Sequence, residues 1–327
     1  MLKLLYSTAV AAVATIIFAV PNVVGAQEYP NRPVHIIVAQ PPGGGTDTIA
    51  RLLGDQLAKQ LGQAFIIDNR PGAGFVVGTE VAARAAPDGY TLVIGLNGNM
   101  AVNPSLFSNL QYDPIRDFTP VAMLANFPFL VVVNKDLPVN SMKELVALAK
   151  SKPGEINYAS AGNGTGQQLS MELFKMVTGT NFTHIPYRGA QAAYIDIFSG
   201  KVPVFFDNIS TAIGQVKGGK VRALAVTTRE RIGVLPDVPT VAEAGIAGYE
   251  YQTWFGLWAP KKTPRPIIEK LHAEVVKALT NPGLRNHIET IGGVPATMPL
   301  DDIEPFVKAE IVKWAEVVKH AGIKIAN

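Results

Sequence analysis

The 327-residue chain contains no cysteine. That excludes a disulfide scaffold, a Cys-ligated zinc or iron–sulfur site, a thiol nucleophile and lipid attachment at a lipobox. It also carries little excess charge: 29 basic residues face 26 acidic ones, a net +3, too even for a chain built mainly to coat nucleic acid. Catalytic signatures are missing as well. There is no Gly-x-Ser-x-Gly elbow and no His-Glu-x-x-His motif. The histidines His35, His184, His272, His287 and His320 are scattered without ligand spacing, so structural or surface roles are expected of them and no metal or cofactor is. What is present is a 48% hydrophobic composition with 30 glycines and 24 prolines, which excludes a disordered chain and suits an α/β protein with many tight turns.

Residues 1–26 read as an address. Lys3 is the only charge, an apolar run follows from Ala9 to Val20, and Pro21 precedes the small-residue site Val24-Gly25-Ala26. This is the pattern of a secretory leader cleaved after Ala26, with an N-terminal membrane anchor as the other reading. No later segment is long and apolar enough to span a bilayer, so export to the periplasm is expected.

Beyond the leader, short apolar runs alternate with helical patterns. Val34–Ala39, Phe65–Ile67 and Thr91–Gly95 read as strands, separated by helical stretches with Ile49, Leu52, Leu53 and Leu57 on one face and then Val77–Ala86. The βαβαβ order implies a parallel sheet with right-handed crossovers. A second series starts at Phe129–Val133. It continues through a helix capped by Ser141 and Glu144, a strand Ile156–Ala159, a helix Gln167–Val177, then Thr183–Ile185, a helix Ala190–Phe198, and strands Val204–Phe206 and Val221–Thr227. Thr240 and Glu243 are expected to cap a short helix, and two long helices, Pro266–Leu279 and about Ile303–Ala321, to close the chain. The two series resemble each other, which makes two α/β lobes with a cleft between them the economical architecture.

Each series carries a glycine-rich turn between a strand and a helix: Gly43-Gly44-Gly45-Thr46-Asp47 in the first, Ser160-Ala161-Gly162-Asn163-Gly164-Thr165 in the second. Glycines admit close approach of a ligand to the backbone, and the N–H groups and dipole of a helix start favour an anion by roughly 0.3–1 kcal/mol, up to about 2 when partly buried. Each turn alone also fits a tight βα connection with no ligand; the matching pair favours anion binding outside the strand C-termini. Arg188, in Tyr187-Arg188-Gly189, can pair with a carboxylate or form a surface salt bridge. Asp207-Asn208 and Asn97 and Asn99 follow strands and read equally as ligand contacts or helix caps. Trp254 and Phe255 read as core. Nucleotide motifs fail: Pro71 and the early Asp68 spoil Gly72-x-Gly74-x-x-x-Gly78 as a dinucleotide turn, and Val221 stands where a P-loop after Gly219-Lys220 needs Ser or Thr.

Taken in order, PPGGGTD (Pro41–Asp47), DNRPGAG (Asp68–Gly74), ARAAPDGYTL (Ala83–Leu92), SAGNGT (Ser160–Thr165), HIPYRG (His184–Gly189), VFFDN (Val204–Asn208), KVRALAVT (Lys220–Thr227), LPDVPTVAEAG (Leu235–Gly245) and WFGLWAP (Trp254–Pro260) cover the whole mature chain. This series resembles the Bug family, the periplasmic solute-binding proteins of tripartite tricarboxylate transporters. The resemblance implies a two-lobed, type II periplasmic-binding-protein fold of α/β class that closes on its ligand. Lobe 1 would then comprise 27–128 with 250–327, and lobe 2 residues 129–249. It also implies a carboxylate held by the loops at Gly43–Asp47 and Ser160–Thr165, with Tyr187, Arg188 and Asp207 in segments that match the family's; Asn97 joins the candidate site from its place after the third strand. Ligands of such proteins range over tricarboxylates, dicarboxylates, amino acids and aromatic carboxylates. Gln168 stands where many members carry His, and Phe75 where many carry Gly; Gln168 leaves the loop intact, and Phe75 either changes packing or narrows the cleft mouth.

A monomeric, non-enzymatic receptor that delivers its acid to membrane permease subunits is therefore expected. An exported enzyme acting on a carboxylate, or a sensor subunit for a histidine kinase, are the alternatives of another class. The enzyme would need a nucleophile–base pair in the cleft.

Overall fold

The computed structural model describes residues 29–43 and 45–323, with the backbone alone at Ala73; the expected leader and Gly44 lie outside the described residues. β1 (Val34–Val38), α1 (Gly45–Leu61), β2 (Phe65–Asn69), α2 (Val76–Ala83) and β3 (Thr91–Leu96) form the first series. β1 lies between β2 and β3 and pairs with both in parallel, as the βαβαβ reading requires. α1 presents Ile49, Ala50, Leu53 and Leu57 to the sheet at helical spacing, and all four are buried.

The short helix α3 (Asn103–Leu106) leads to β4, which runs from Phe118 to Asn134. The sequence had suggested only its second half. Pro120 and Pro128 weaken the strand signal before Phe129, because proline cannot donate to a ladder. The structure accommodates Pro120 at a register shift between Pro120 and Ala122, and Pro128 is the last residue paired with β9 (Gln252–Pro260) before the strand changes partners.

The second series comprises α4 (Met142–Ser151), β5 (Asn157–Ser160), α5 (Gly166–Thr178), β6 (Thr183–Pro186), α6 (Ala190–Phe198), β7 (Val204–Asn208), α7 (Ile209–Lys217) and β8 (Val221–Val226). β5 pairs in parallel with β6 and β7. β9 then re-enters the first sheet antiparallel to both β3 and β4. The chain closes with α8 (Arg265–Leu279), α9 (Pro282–Thr290), the two-residue β10 (Val294–Pro295) paired to β4, and α10 (Leu300–Ala321).

The strand order is β2-β1-β3-β9-β4 in the first lobe, and β6-β5-β7-β4-β8 in the second. Each lobe thus has three parallel strands, one antiparallel strand arriving from the other lobe, and a fifth strand beyond it, to which the first lobe adds the short β10 against β4. β4 belongs to both. The chain crosses between lobes at Pro128–Phe129 and again before Gln252, and Thr227 ties the two crossings together. The Phe129 amide donates to the Thr227 hydroxyl at 2.8 Å, and the Tyr251 amide to the Thr227 carbonyl at 2.9 Å. α10 braces this junction by packing on β4, α3 and α5, and its Glu310 carboxylate accepts from the indoles of Trp254 and Trp314, each at 3.0 Å.

One local expectation differs, and two elements were not foreseen. Thr240 and Glu243 do form a reciprocal capping box, but it closes a single turn, not a helix, because Gly245 takes φ 94 and stops it. The aromatic stretch through Trp254 is strand β9, and α9 was not foreseen. Trp254 and Phe255 are both core, as expected, and Phe255 also borders a cavity described below.

Gly95 and Gly256 sit opposite each other across β3 and β9 under the Trp258 ring. A Cβ at either position would lie 2.5 Å from that ring. Gly256→Ala is therefore expected to lower stability by about 1–3 kcal/mol in urea unfolding; an unchanged midpoint contradicts this packing.

Candidate functional site

The C-terminal ends of β1, β3, β5 and β7 meet between the lobes. Each strand delivers a polar residue there: Gln40 and Asn97 from the first lobe, Asn163 and Asn208 from the second. They line a cavity of about 320 Å³. This is the crevice where open α/β sheets bind ligands.

The second glycine loop reaches this cavity through a network that fixes its shape. Ser160, at the end of β5, is buried, and its Oγ accepts from the Gly162 amide at 3.1 Å and donates to the Gly162 carbonyl at 3.0 Å. The Gly164 amide donates to Gln168 Oε1 at 2.7 Å. Gly162 (φ 135) and Gly164 (φ 73) make these turns possible without a Cβ penalty. Gln168 Nε2 in turn faces His184 Nδ1 at 3.2 Å, and His184 Nε2 lies 2.6 Å from Ser160 Oγ. An amide N–H can only donate, so Gln168 Oε1 must face Gly164, its NH2 must donate to Nδ1, and the His184 proton sits on Nε2 and points at Ser160. The ring is a donor to Ser160, the opposite of what a general base for a serine nucleophile requires. This Ser–His pair shapes the loop.

The loop amides of Gly162, Gly164 and Thr165 are used internally, the last donating to the Gly162 carbonyl. Among the donors left open are those of the first turn of α5 at Gly166 and Gln167, which have no partner within the helix. Both residues line the cavity. Gly166 is packed against the junction: a Cβ there would lie 2.5 Å from the Tyr251 hydroxyl and 3.0 Å from the Phe129 ring. Asn97 Nδ2 approaches the same hydroxyl from the first lobe at 3.5 Å. Burial pushes Tyr251 up to about 12, so it stays a neutral phenol.

The first glycine loop is arranged differently. Asp47 is buried, and its carboxylate accepts from the Gly43 amide at 2.9 Å, from Asn69 Nδ2 at 2.9 Å and from Arg51 through two bonds of 3.0 Å. Burial alone would raise the Asp47 carboxyl, but the bonds from Arg51, Gly43 and Asn69 outweigh it and hold the group below its ordinary value. Asp47 thus holds the loop in shape. Gly43, Gly45, Thr46 and Asp47 do not line the cavity, and Gly45 faces Ile291 at 3.8 Å.

Of the sequence candidates, Asn97, Asn163, Gly164 and Thr165 border the cavity. Ser160, Ala161 and Gly162 stand behind it, joined to Tyr187 and Gly189 by main-chain bonds of 3.0 and 3.2 Å. Tyr187 turns its hydroxyl to Asp196 at 2.6 Å, and Arg188 is exposed without an ion-pair partner among the described residues. Asp207 is fully buried behind Gln167, which donates to Oδ1 at 3.1 Å, while Tyr194 (2.9 Å) and Thr211 donate to Oδ2. Burial pushes the Asp207 carboxyl up, against the pull of those hydrogen bonds. Asn208 both lines the cavity and caps α7 by accepting from the Ser210 amide at 3.0 Å. Asn99 is structural, bonding the Leu96 amide and Thr79.

The aromatic wall was anticipated only at Phe75: Phe107, Phe129 and Phe255 border the cavity with it. The signal available was position, since Phe129 and Phe255 stand beside the lobe crossings. Phe75 does both things considered for it, packing its ring on Gly98 and facing the cavity. A larger groove of about 540 Å³ lies on the other side of the junction, between Thr228–Val234 and Gly292–Pro295. It is bordered by Arg229, Glu230, Arg231 and Glu289 and touches neither glycine loop.

Fold and crevice together define a two-lobed solute-binding protein. The model of the TctC family, the tripartite tricarboxylate transporter family receptor, matches residues 49–323, and the chain belongs to that family of periplasmic solute-binding receptors. The chain is 36% identical to protein BugT of Bordetella pertussis over 314 residues, 96% of each chain. It is similar to the structure of R. palustris Rpa4515 with adipate (37% identity, TM-score 0.78, 91% of this chain and 100% of that one). It is also similar to MatC (Rpa3494) from Rhodopseudomonas palustris with bound malate (36% identity, TM-score 0.74, 89% and 100%).

Burial holds the His184 imidazole below its ordinary value, with Glu172 pulling it up and Lys175 down. The unfolded chain therefore takes the proton first as pH falls, and the stability His184 contributes is present above about 6.5 and lost as pH drops through its folded value. Urea unfolding from pH 7.5 to 5 should show this loss in the wild type and a shallower one in His184→Asn; equal slopes would contradict the neutral, Nε2-protonated ring.

Proposed function

We propose that the mature chain captures a small organic carboxylate in the cleft between its lobes, in the periplasm, and delivers it to the membrane subunits of a tripartite tricarboxylate-type transporter. The observation that carries this reading is the uncapped first turn of α5 bordering a cavity walled by both lobes. A carboxylate there accepts from the Gly166 and Gln167 amides and lies at the positive end of a 13-residue helix. The acids in the Rpa4515 and MatC structures support the same ligand class.

In this reading the leader is removed after Ala26 and the protein acts as a monomer. Residues 27–128 with 250–327 and residues 129–249 move as two bodies about the Pro128–Phe129 crossing and the crossing before Gln252. Closure brings Asn97 and Gln40 toward the helix start, so the acid binds the closed state better and shifts the population toward it. The first glycine loop, held by Asp47 and Arg51, joins the site only on closure. Arg188, exposed at the rim beside the Ser160–Gly162 loop, contributes attraction at a distance and no buried ion pair. No step of this capture requires a nucleophile.

Calorimetric titration of acids against their neutral amides tests the reading. A dipole-stabilised carboxylate should bind about 5- to 30-fold tighter than its amide, equivalent to roughly 1–2 kcal/mol. Equal affinities would defeat it. Saturation at a hundred times Kd should add about 2.7 kcal/mol to the unfolding free energy.

A further inference from the structure

The cavity's walls narrow the ligand further, on the premise that it is a carboxylate. Among the described residues that line it there is no Asp, Glu, Lys, Arg or His. Several of its polar side chains are already committed. Asn103 donates to the Gly74 carbonyl at 2.8 Å and to Tyr112, Gln167 donates to Asp207, Thr165 donates to the Gly162 carbonyl at 2.7 Å, and Asn208 accepts from Ser210. Open main-chain donors lie at the start of α5, on the second lobe, and the uncharged side chains of Gln40, Asn97 and Thr253 are the polar groups facing them. The first lobe supplies a largely apolar wall: Phe75, Leu96, Leu106, Phe107 and Phe255. One carboxylate at α5 is thus provided for. A second, carried toward the first lobe, would be desolvated with no counter-charge to meet it.

Phe75 is the distinctive element of that wall. It adopts φ 75, ψ 0, a left-handed conformation that a bulky side chain rarely takes, with no side-chain cap bond to account for it. Its ring lies so close over Gly98 that a Cβ there would sit 2.8 Å from Cε2. The neighbouring Gly74 is covered in the same way by Phe107, whose Cζ would be 3.1 Å from a Cβ at that position. Backbone strain kept where a glycine would relieve it, with the ring turned along a binding cavity, is what a functional constraint produces.

We propose that the ligand is a monocarboxylate with an apolar body, aromatic or aliphatic, and that Phe75 is the residue that selects for it. The carboxylate sits at the Gly166–Gln167 amides, and the body lies across the cavity against Phe75, Phe107 and Phe255. Specificity then comes from apolar contact on one lobe and a single anion site on the other.

The test is calorimetry on the mature protein and on Phe75→Gly with hexanoate, benzoate, adipate and hexanamide. Hexanoate and adipate share a six-carbon chain and differ in the second carboxylate. Hexanoate and benzoate should bind at least about tenfold tighter than adipate, and Phe75→Gly should weaken both by about tenfold while leaving adipate within about twofold. Glycine is at ease at φ 75, so the variant should unfold at an unchanged or higher midpoint, which separates lost contact from lost fold. Adipate binding as tightly as hexanoate, or Phe75→Gly weakening all acids alike, would overturn the proposal while the carboxylate reading stands. Hexanamide matching hexanoate, or no binding by any acid, would overturn both.

Discussion

One strand belongs to both halves of the molecule. β4 is the fifth strand of the first lobe's sheet up to Pro128 and the fourth strand of the second lobe's sheet from Phe129 onward. Its two halves are hydrogen-bonded to different partners, so the lobes cannot slide apart along it. The change of partners is where the two sheets part. Thr227 and Tyr251 hold the return crossing against that same point, and α10 packs across it from behind. The cavity opens directly beside this junction, with Phe129 and Thr253 among its walls. In the proposed reading, rotation of the lobes at this junction would change the distance between the walls.

Charge is kept out of the cavity and used around it. Asp47 and Arg51 neutralise each other while shaping the first glycine loop, and Asp207 is buried behind Gln167 among three hydrogen-bond donors. Neither carboxylate is exposed to the ligand. In the proposed reading the ligand's charge meets main-chain amides and a helix dipole, which need no long side chain to be ordered on binding. The loop that presents those amides is rigid because its internal donors are satisfied through Ser160, Gln168 and a neutral His184.

Much of this was legible in the residues, and the failures have identifiable causes. The parallel series around β1 and β5 follow from apolar runs broken by glycine turns, and the helical faces of α1 and α5 from their spacing. The first half of β4 was hidden by Pro120 and Pro128, which the structure tolerates at a register shift and at the strand's change of partner. The Thr240–Glu243 box is real but local, and a cap does not make a helix when Gly245 follows. At the site, part of the second glycine loop singled out in the sequence borders the cavity, yet sequence could not show that Gly164 donates to Gln168. The aromatic wall comes from four segments distant in the chain, and only the fold assembles it.

A crystal structure of the mature protein with benzoate or hexanoate bound tests the account most directly. The account predicts carboxylate oxygens about 2.7–3.2 Å from the main-chain nitrogens of Gly166 and Gln167, with both lobes touching the ligand. A carboxylate seated instead in the charged groove beside Arg229, or held by one lobe alone, would contradict it.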